Sequence, residues 1–224
     1  MKTRLSIAAC ALALASPLSA AVVAGKVSVV TKRGQNPVVA ETLVRLEPVG
    51  VRVPRVAPSR FEMVTRGKML LPHVLAIPAG STVDFPNDDP ISHNLFSLSS
   101  NNAFDLGLYR KGAGKSQKFD TPGLVNVYCN VHPNMSAVIM VMNTPYYAFS
   151  DSSGNYSLTN VPAGRYRLIA WNEQGGETES PIEVTSAGMV SGTVALMIDS
   201  RNYRLAQHMN KLGKPYEAPS LKDY

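Results

Sequence analysis

After its first segment, every apolar run in this 224-residue chain is short, rich in β-branched and aromatic side chains, and closed by glycine, proline or asparagine. Runs of that length cannot build a long amphipathic helix, and they predict an all-β sandwich or barrel. The predicted strands begin with Lys26–Thr31 and Thr42–Glu47, joined by the turn-like Gly34-Gln35-Asn36-Pro37. A proline-spaced linker from Val49 to Ser59 follows. Next come Val74–Ile77, Thr82–Phe85, Asn94–Ser97, Ser116–Phe119, Leu124–Cys129 and Ala137–Met142. In Leu124–Cys129, period-two alternation puts Val125, Val127 and Cys129 on one face, the inward one. A second set comprises Tyr146–Ser150, Tyr156–Leu158, Arg165–Trp171, Ser180–Val184 and Gly188–Ile198. Beyond it, Leu205, Met209 and Leu212 have the spacing of a short amphipathic helix ended by Gly213, and a tail follows Lys214.

The first segment has the plan of a secretory leader. Lys2 and Arg4 precede an apolar stretch from Leu5 to Ala15, and Ser19 and Ala21 suit cleavage after Ala21. A retained anchor is the alternative, although the stretch is too short to span a bilayer. Ile7-Ala8-Ala9-Cys10 is a poor lipidation site, because apolar residues continue past Cys10. Export to the periplasm is therefore expected, without stable membrane insertion. With 45% hydrophobic and 17% charged residues the remainder reads as globular. The net charge of +6 is mild and no basic run is interleaved with aromatics, so nucleic acid is set aside.

Cleavage after Ala21 leaves Cys129 as the lone thiol. In an oxidising compartment such a thiol is either inert and buried or a metal ligand. Its neighbourhood, Tyr128-Cys129-Asn130-Val131-His132-Pro133-Asn134-Met135, spaces a thiolate, an imidazole and a thioether three residues apart. Upstream, His93 in Ser92-His93-Asn94 offers a second imidazole. Two histidines, one cysteine and a weak methionine form the ligand set of a blue-copper electron-transfer site. Soft sulfur favours Cu(I), and imidazole accepts both oxidation states. A closed structural zinc site more often adds further Cys or His. His73 suits a structural role and His208 a solvated one, while Met140 and Met142 alternate in a strand as packing residues. Gly112-Ala113-Gly114-Lys115-Ser116 matches the end of a phosphate-binding loop, but Tyr109 stands where that motif needs its first glycine.

The spacing of Cys129, His132 and Met135, with Pro133 after the histidine, resembles the short ligand loop of amicyanin, a cupredoxin. Val74–Asn87 resembles the strand pair that precedes the first histidine ligand in that family. The resemblance spans roughly Arg60 to Asn143 and implies one type 1 copper ion held by His93, Cys129, His132 and Met135. It also implies that Asn94 ties the two ligand loops together, that backbone N–H groups beside Asn94 reach the Cys129 sulfur, and that His132 is the electron exit.

A different resemblance covers the flanks. Ser150–Leu158 and Val161-Pro162-Ala163-Gly164-Arg165-Tyr166 are similar to the carboxypeptidase-regulatory-like (transthyretin-like) β-sandwich, and Gly25 to Pro48 matches its opening. The combination resembles bacterial plastocyanin-like or methylamine-utilization proteins. The organisation expected from these resemblances is a leader at 1–21, sandwich segments at 22–50 and 145–199, an inserted cupredoxin domain at 55–144, and a helix with a tail at 200–224. The expected function is that of a non-enzymatic, periplasmic single-electron carrier docking weakly and transiently on redox proteins. A copper chaperone or storage protein, or a structural binding module with copper secondary, is the alternative.

Overall fold

Alternation of inward and outward side chains makes strands of the predicted runs in the computed structural model, which describes residues 20–33, 35, 38–204 and 207–216. Two strands come first, β1 (Ala21–Val30) and β2 (Leu43–Val49). Ten follow: β3 (Arg60–Glu62), β4 (Val64–Arg66), β5 (Met69–Leu71), β6 (Val74–Pro78), β7 (Ser81–Asn87), β8 (Leu95–Ser97), β9 (Phe104–Asp105), β10 (Gly112–Phe119), β11 (Gly123–Cys129) and β12 (Ser136–Met142). Six complete the fold: β13 (Tyr147–Phe149), β14 (Asn155–Val161), β15 (Gly164–Asn172), β16 (Gly176–Val184), β17 (Val190–Gly192) and β18 (Ala195–Asp199). The protein is all-β. Among the described residues no helix is long and apolar enough to cross a membrane. The predicted leader and Cys10 lie outside the described residues apart from Ala20 and Ala21, as do Gly34, Asn36 and Pro37 of the first turn.

The strands form two sandwiches. In the inner one, a sheet ordered β10-β7-β4-β5, with β3 also on β7, faces a sheet ordered β6-β12-β11-β8-β9. Val83, Phe85, Leu95, Phe119, Val125, Val127 and Ile139 are fully buried between them. In the outer one, β14-β1-β18 faces β13-β2-β15-β16-β17. Strand β1 pairs antiparallel with β14 and parallel with β18. The chain leaves the outer sandwich after β2 and returns at β13, which pairs with β2 through Tyr147 opposite Arg45.

Three local readings change. The run Gly188–Ile198 is two strands, because β17 pairs with β16 whereas β18 crosses to the opposite sheet. Gly192 marks the corner: its φ is +107°, and a Cβ there would lie 2.6 Å from the Pro181 carbonyl oxygen. The short β4–β5 hairpin escapes the periodicity. It turns through Gly67 and Lys68, both at positive φ (61° and 59°), the twist that two-residue hairpins require. The predicted helix is absent: residues 207–216 hold no helical turn, and Leu205 lies outside the described residues. The Asn210 carboxamide oxygen instead accepts the N–H groups of Leu212 and Lys214, a local bond that competes with helix.

Strand β12 joins the sandwiches. Ala137, Ile139 and Val141 point into the inner core, while Val138, Met140 and Met142 pack with Val74, Ala76, Leu43 and Trp171 between the two sandwiches. At the rim of this interface His73 Nε2 lies 2.6 Å from Glu173 Oε2. The Glu173 carboxylate holds the imidazole pKa above its ordinary value against the opposing effect of burial.

Trp171→Ala should lower unfolding stability by about 3–5 kcal/mol, because a buried indole leaves a cavity between the sandwiches; equilibrium denaturation checks this. The His73–Glu173 pair gives stability that is fully present below the unfolded value of 6.5 and is lost as pH rises through the raised folded value. The stability gap between the native protein and His73→Ala should accordingly narrow from acid to alkaline pH, as read by denaturation at several pH values. The gap stays modest because both side chains are partly solvated.

Candidate metal centre

Cys129 ends β11 on its inward face, so alternation buries the thiol completely. The next residues double back. Met135 N–H donates to the His132 carbonyl (3.1 Å) and Cys129 N–H to the Met135 carbonyl (3.1 Å), closing the loop. His93 is set from the opposite side by paired backbone hydrogen bonds with Tyr109, at 3.0 and 2.9 Å. The two loops meet where Asn130 N–H donates to the Asn94 carbonyl at 2.8 Å.

These constraints bring together Cys129 Sγ and one ring nitrogen each of His93 and His132, all within 4.8 Å of one another. The sulfur lies 3.6 Å from His93 Nδ1 and 3.8 Å from His132 Nδ1. Metal–sulfur and metal–nitrogen bonds of about 2.3 and 2.0 Å, opened by about 110–120°, span about 3.5–3.8 Å, so the gap suits an ion shared by all three. Met135 is 2% exposed and lies in the same buried cluster as Cys129. Among the described residues this is the sole cluster with metal-binding spacing. The donor set fits copper: a thiolate and thioether supply soft sulfur, and two imidazoles complete it.

His93 is held by a residue to which the sequence reading gave no role. Its Nε2 lies 3.0 Å from Asp89 Oδ2, and both side chains are buried. Burial pushes the Asp89 carboxyl up, but the N–H groups of Lys68 and Gly67 and the His93 ring outweigh it and hold its pKa below the ordinary value. An ionised carboxylate only accepts, so Nε2 carries the proton and Nδ1 presents its lone pair toward the sulfur. The positive-φ turn between β4 and β5 thus fixes a histidine tautomer by aiming two N–H groups at Asp89. The i, i+4 spacing of Asp89 and His93 was the available signal.

The remaining candidates sort by contact. Asn94 is buried, and its amide donates to Asp105 Oδ1 at 2.6 Å. The backbone donor at the sulfur is Val131 N–H, 3.4 Å away, rather than a neighbour of Asn94. Half-buried His132 reaches toward the surface between Val131 and Pro133, and burial, then His93 and Lys68, lower its pKa against the effect of Asp89. His208 is not simply solvated: its ring stacks on Tyr128 at 4.3 Å. His73 is engaged with Glu173. The glycine-rich run at 112–116 belongs to β10, where a Cβ on Gly114 would lie 1.8 Å from the Phe85 carbonyl oxygen, so backbone and not phosphate fills that space.

No protein-family model matches the chain, and no curated protein is significantly similar to it. Among solved structures, a purple cupredoxin from Nitrosopumilus maritimus is 26% identical, with the match covering 36% of this chain and 98% of its own at a TM-score of 0.34. A reduced variant of amicyanin is 21% identical, covering 39% of this chain and 86% of its own at a TM-score of 0.36. Another amicyanin variant in its reduced state is 18% identical, covering 44% of this chain and 99% of its own at a TM-score of 0.35.

Proposed function

We propose that the protein is an exported single-electron carrier whose inner sandwich is a cupredoxin domain holding one copper ion through His93, Cys129, His132 and Met135. The observation that carries this reading is the convergence of one thiol and two imidazole nitrogens within 4.8 Å, with the sulfur fully buried. Bound copper supplies one-electron chemistry by alternating between Cu(I) and Cu(II). Cys129, His93, His132 and Met135 would hold the ion, the thiolate as the strong soft donor, the two imidazoles as donors that accept both oxidation states, and the thioether as the weak one.

The surrounding residues keep that arrangement fixed. Asp89 locks the His93 ring, Val131 N–H donates to the sulfur, and the Asn94–Asn130 bond holds the two loops in register. A site that moves little between oxidation states passes electrons readily. Partly exposed His132 is the exit, and redox proteins dock there through a small, transient interface. The reading favours a carrier over an enzyme: of the four histidines, two belong to the cluster, while His73 pairs with Glu173 and His208 stacks on Tyr128. The outer sandwich, from 22–50 and 145–199, is read as a carboxypeptidase-regulatory-like module interrupted by the copper domain at 55–144. Pairing of β1 with β14 and β18 supports that reading.

The mature protein loaded with Cu(II) should show an intense thiolate-to-copper band in the visible that bleaches reversibly with reductant, and Cys129→Ser should lack it. Absence of the band from the loaded native protein would overturn the assignment. Asp89→Ala should weaken copper binding by about tenfold to a hundredfold, as measured by competition with a chelator of known affinity.

A further inference from the structure

Residues Gln207–Tyr216 cross the flank of the cysteine loop as a strap. Its middle is a compact turn: Asn210 N–H donates to the Lys214 carbonyl at 2.8 Å and Gly213 N–H to the Asn210 carbonyl at 2.9 Å. Lys211 sits at the start of this turn with two contacts. Its N–H donates to Asn130 Oδ1 at 3.0 Å, and its Nζ donates to Asp105 Oδ2 at 2.7 Å. Asp105 Oδ1 accepts the Asn94 amide at 2.6 Å, and Asn130 N–H returns to the Asn94 carbonyl at 2.8 Å. Lys211, Asp105, Asn94 and Asn130 therefore form a closed polar ring. It passes through the residue after His93 and the residue after Cys129.

The strap grips the cysteine from either side as well. The Tyr216 hydroxyl donates to the Cys129 carbonyl at 2.7 Å. The His208 ring lies on Tyr128 at 4.3 Å, with 18° between the planes. The residue before the thiol, the thiol's own carbonyl and the residue after it all touch the strap. Against this, the loop's internal backbone bonds are the two between Cys129, His132 and Met135. A Lys–Asp pair as solvated as this one, with side chains 35% and 43% exposed, contributes little alone. Its effect comes from closing a ring whose other members are tied to both ligand loops, where contacts reinforce one another.

We propose that the strap is a lock on the metal centre, with Lys211 as its positioning residue: it holds the cysteine loop against the histidine loop, limits access to the Cys129 sulfur and slows loss of the ion. The part concerning the ion rests on the copper reading above; the part concerning the thiol does not. Opening the loop to expose the sulfur or release the ion requires the Asn130–Asn94 contact to part, and the ring opposes that motion. Such local opening is governed by the few contacts that break, not by the stability of the whole fold.

The test uses the chain from Val22 onward, in which Cys129 is the lone thiol, in two states. In the reduced, metal-free protein, the rate at which a disulfide reagent labels Cys129 reports opening of the loop. Lys211→Ala should raise that rate about fivefold, the scale set by losing one charge-assisted contact at a partly exposed site. Lys211→Arg should restore it to within about twofold, because a guanidinium keeps the charge and still donates to a carboxylate oxygen. Tyr216→Phe should also raise it. In the Cu(I) protein, transfer to a Cu(I) chelator should accelerate in the same variants and in the same order. Labelling that is unchanged in Lys211→Ala, or no slower in Lys211→Arg than in Lys211→Ala, overturns the lock. Faster labelling with an unchanged copper transfer rate overturns its role in retaining the ion. A native protein without the visible band overturns the copper reading instead, and labelling still decides the lock.

Discussion

The fold depends on a strand that is apolar on both faces. β12 sends alternate side chains into the inner core and into the seam with the outer sandwich, so all but its first residue are buried. Displacing it would expose two hydrophobic surfaces at once, each stabilised in proportion to the area kept from water. The cysteine loop ends directly on this strand, with Met135 immediately before Ser136. The loop's other end is Cys129 on β11, which pairs with β12 along its length. The ligand loop thus spans two neighbouring strands, one of them packed on both faces.

From that base the site is assembled by polar contacts that each do one thing. Backbone pairing with Tyr109 sets the height of His93, Asp89 sets its tautomer, and the Asn94–Asn130 bond sets its distance from the thiol. Buried polar groups of this kind are costly when unpaired, which makes the arrangement strongly specified. Asp89 shows how one element serves another: the N–H groups of a hairpin turn converge on a carboxylate that in turn orients a ligand.

The sequence made legible what periodicity and local spacing encode. Alternation in Leu124–Cys129 gave the inward face, and the residues His93, Cys129 and His132 that its chemistry singled out converge in space. The strands that escaped notice, β3, β4, β5 and β9, have two or three residues each, too few for a period to register. Gly188–Ile198 read as one strand because a switch between sheets leaves alternation almost unbroken. The helix expected near Met209 failed for a different reason: two turns of amphipathic spacing cannot offset a local Asx turn and contacts to a distant loop. Asp105 and Lys211, over a hundred residues apart, meet only through tertiary structure, so no window of sequence contains their relationship.

The pairing of β1 with β18 has a bearing on how the chain reaches this structure. Lys26 lies opposite Ala195, with the whole inner sandwich threaded between them in sequence. Closing so long a connection costs entropy that nearby contacts do not offset until the distant strand arrives. The inner sandwich draws on a continuous stretch, from β3 to β12, and has no such wait. During synthesis it can therefore condense first, leaving β1 and β2 as unpaired edges until the last third of the chain appears. For a polypeptide exported across a membrane, as proposed for this one, that interval is when β1, with its row of free backbone groups, is most open to pairing with the wrong neighbour.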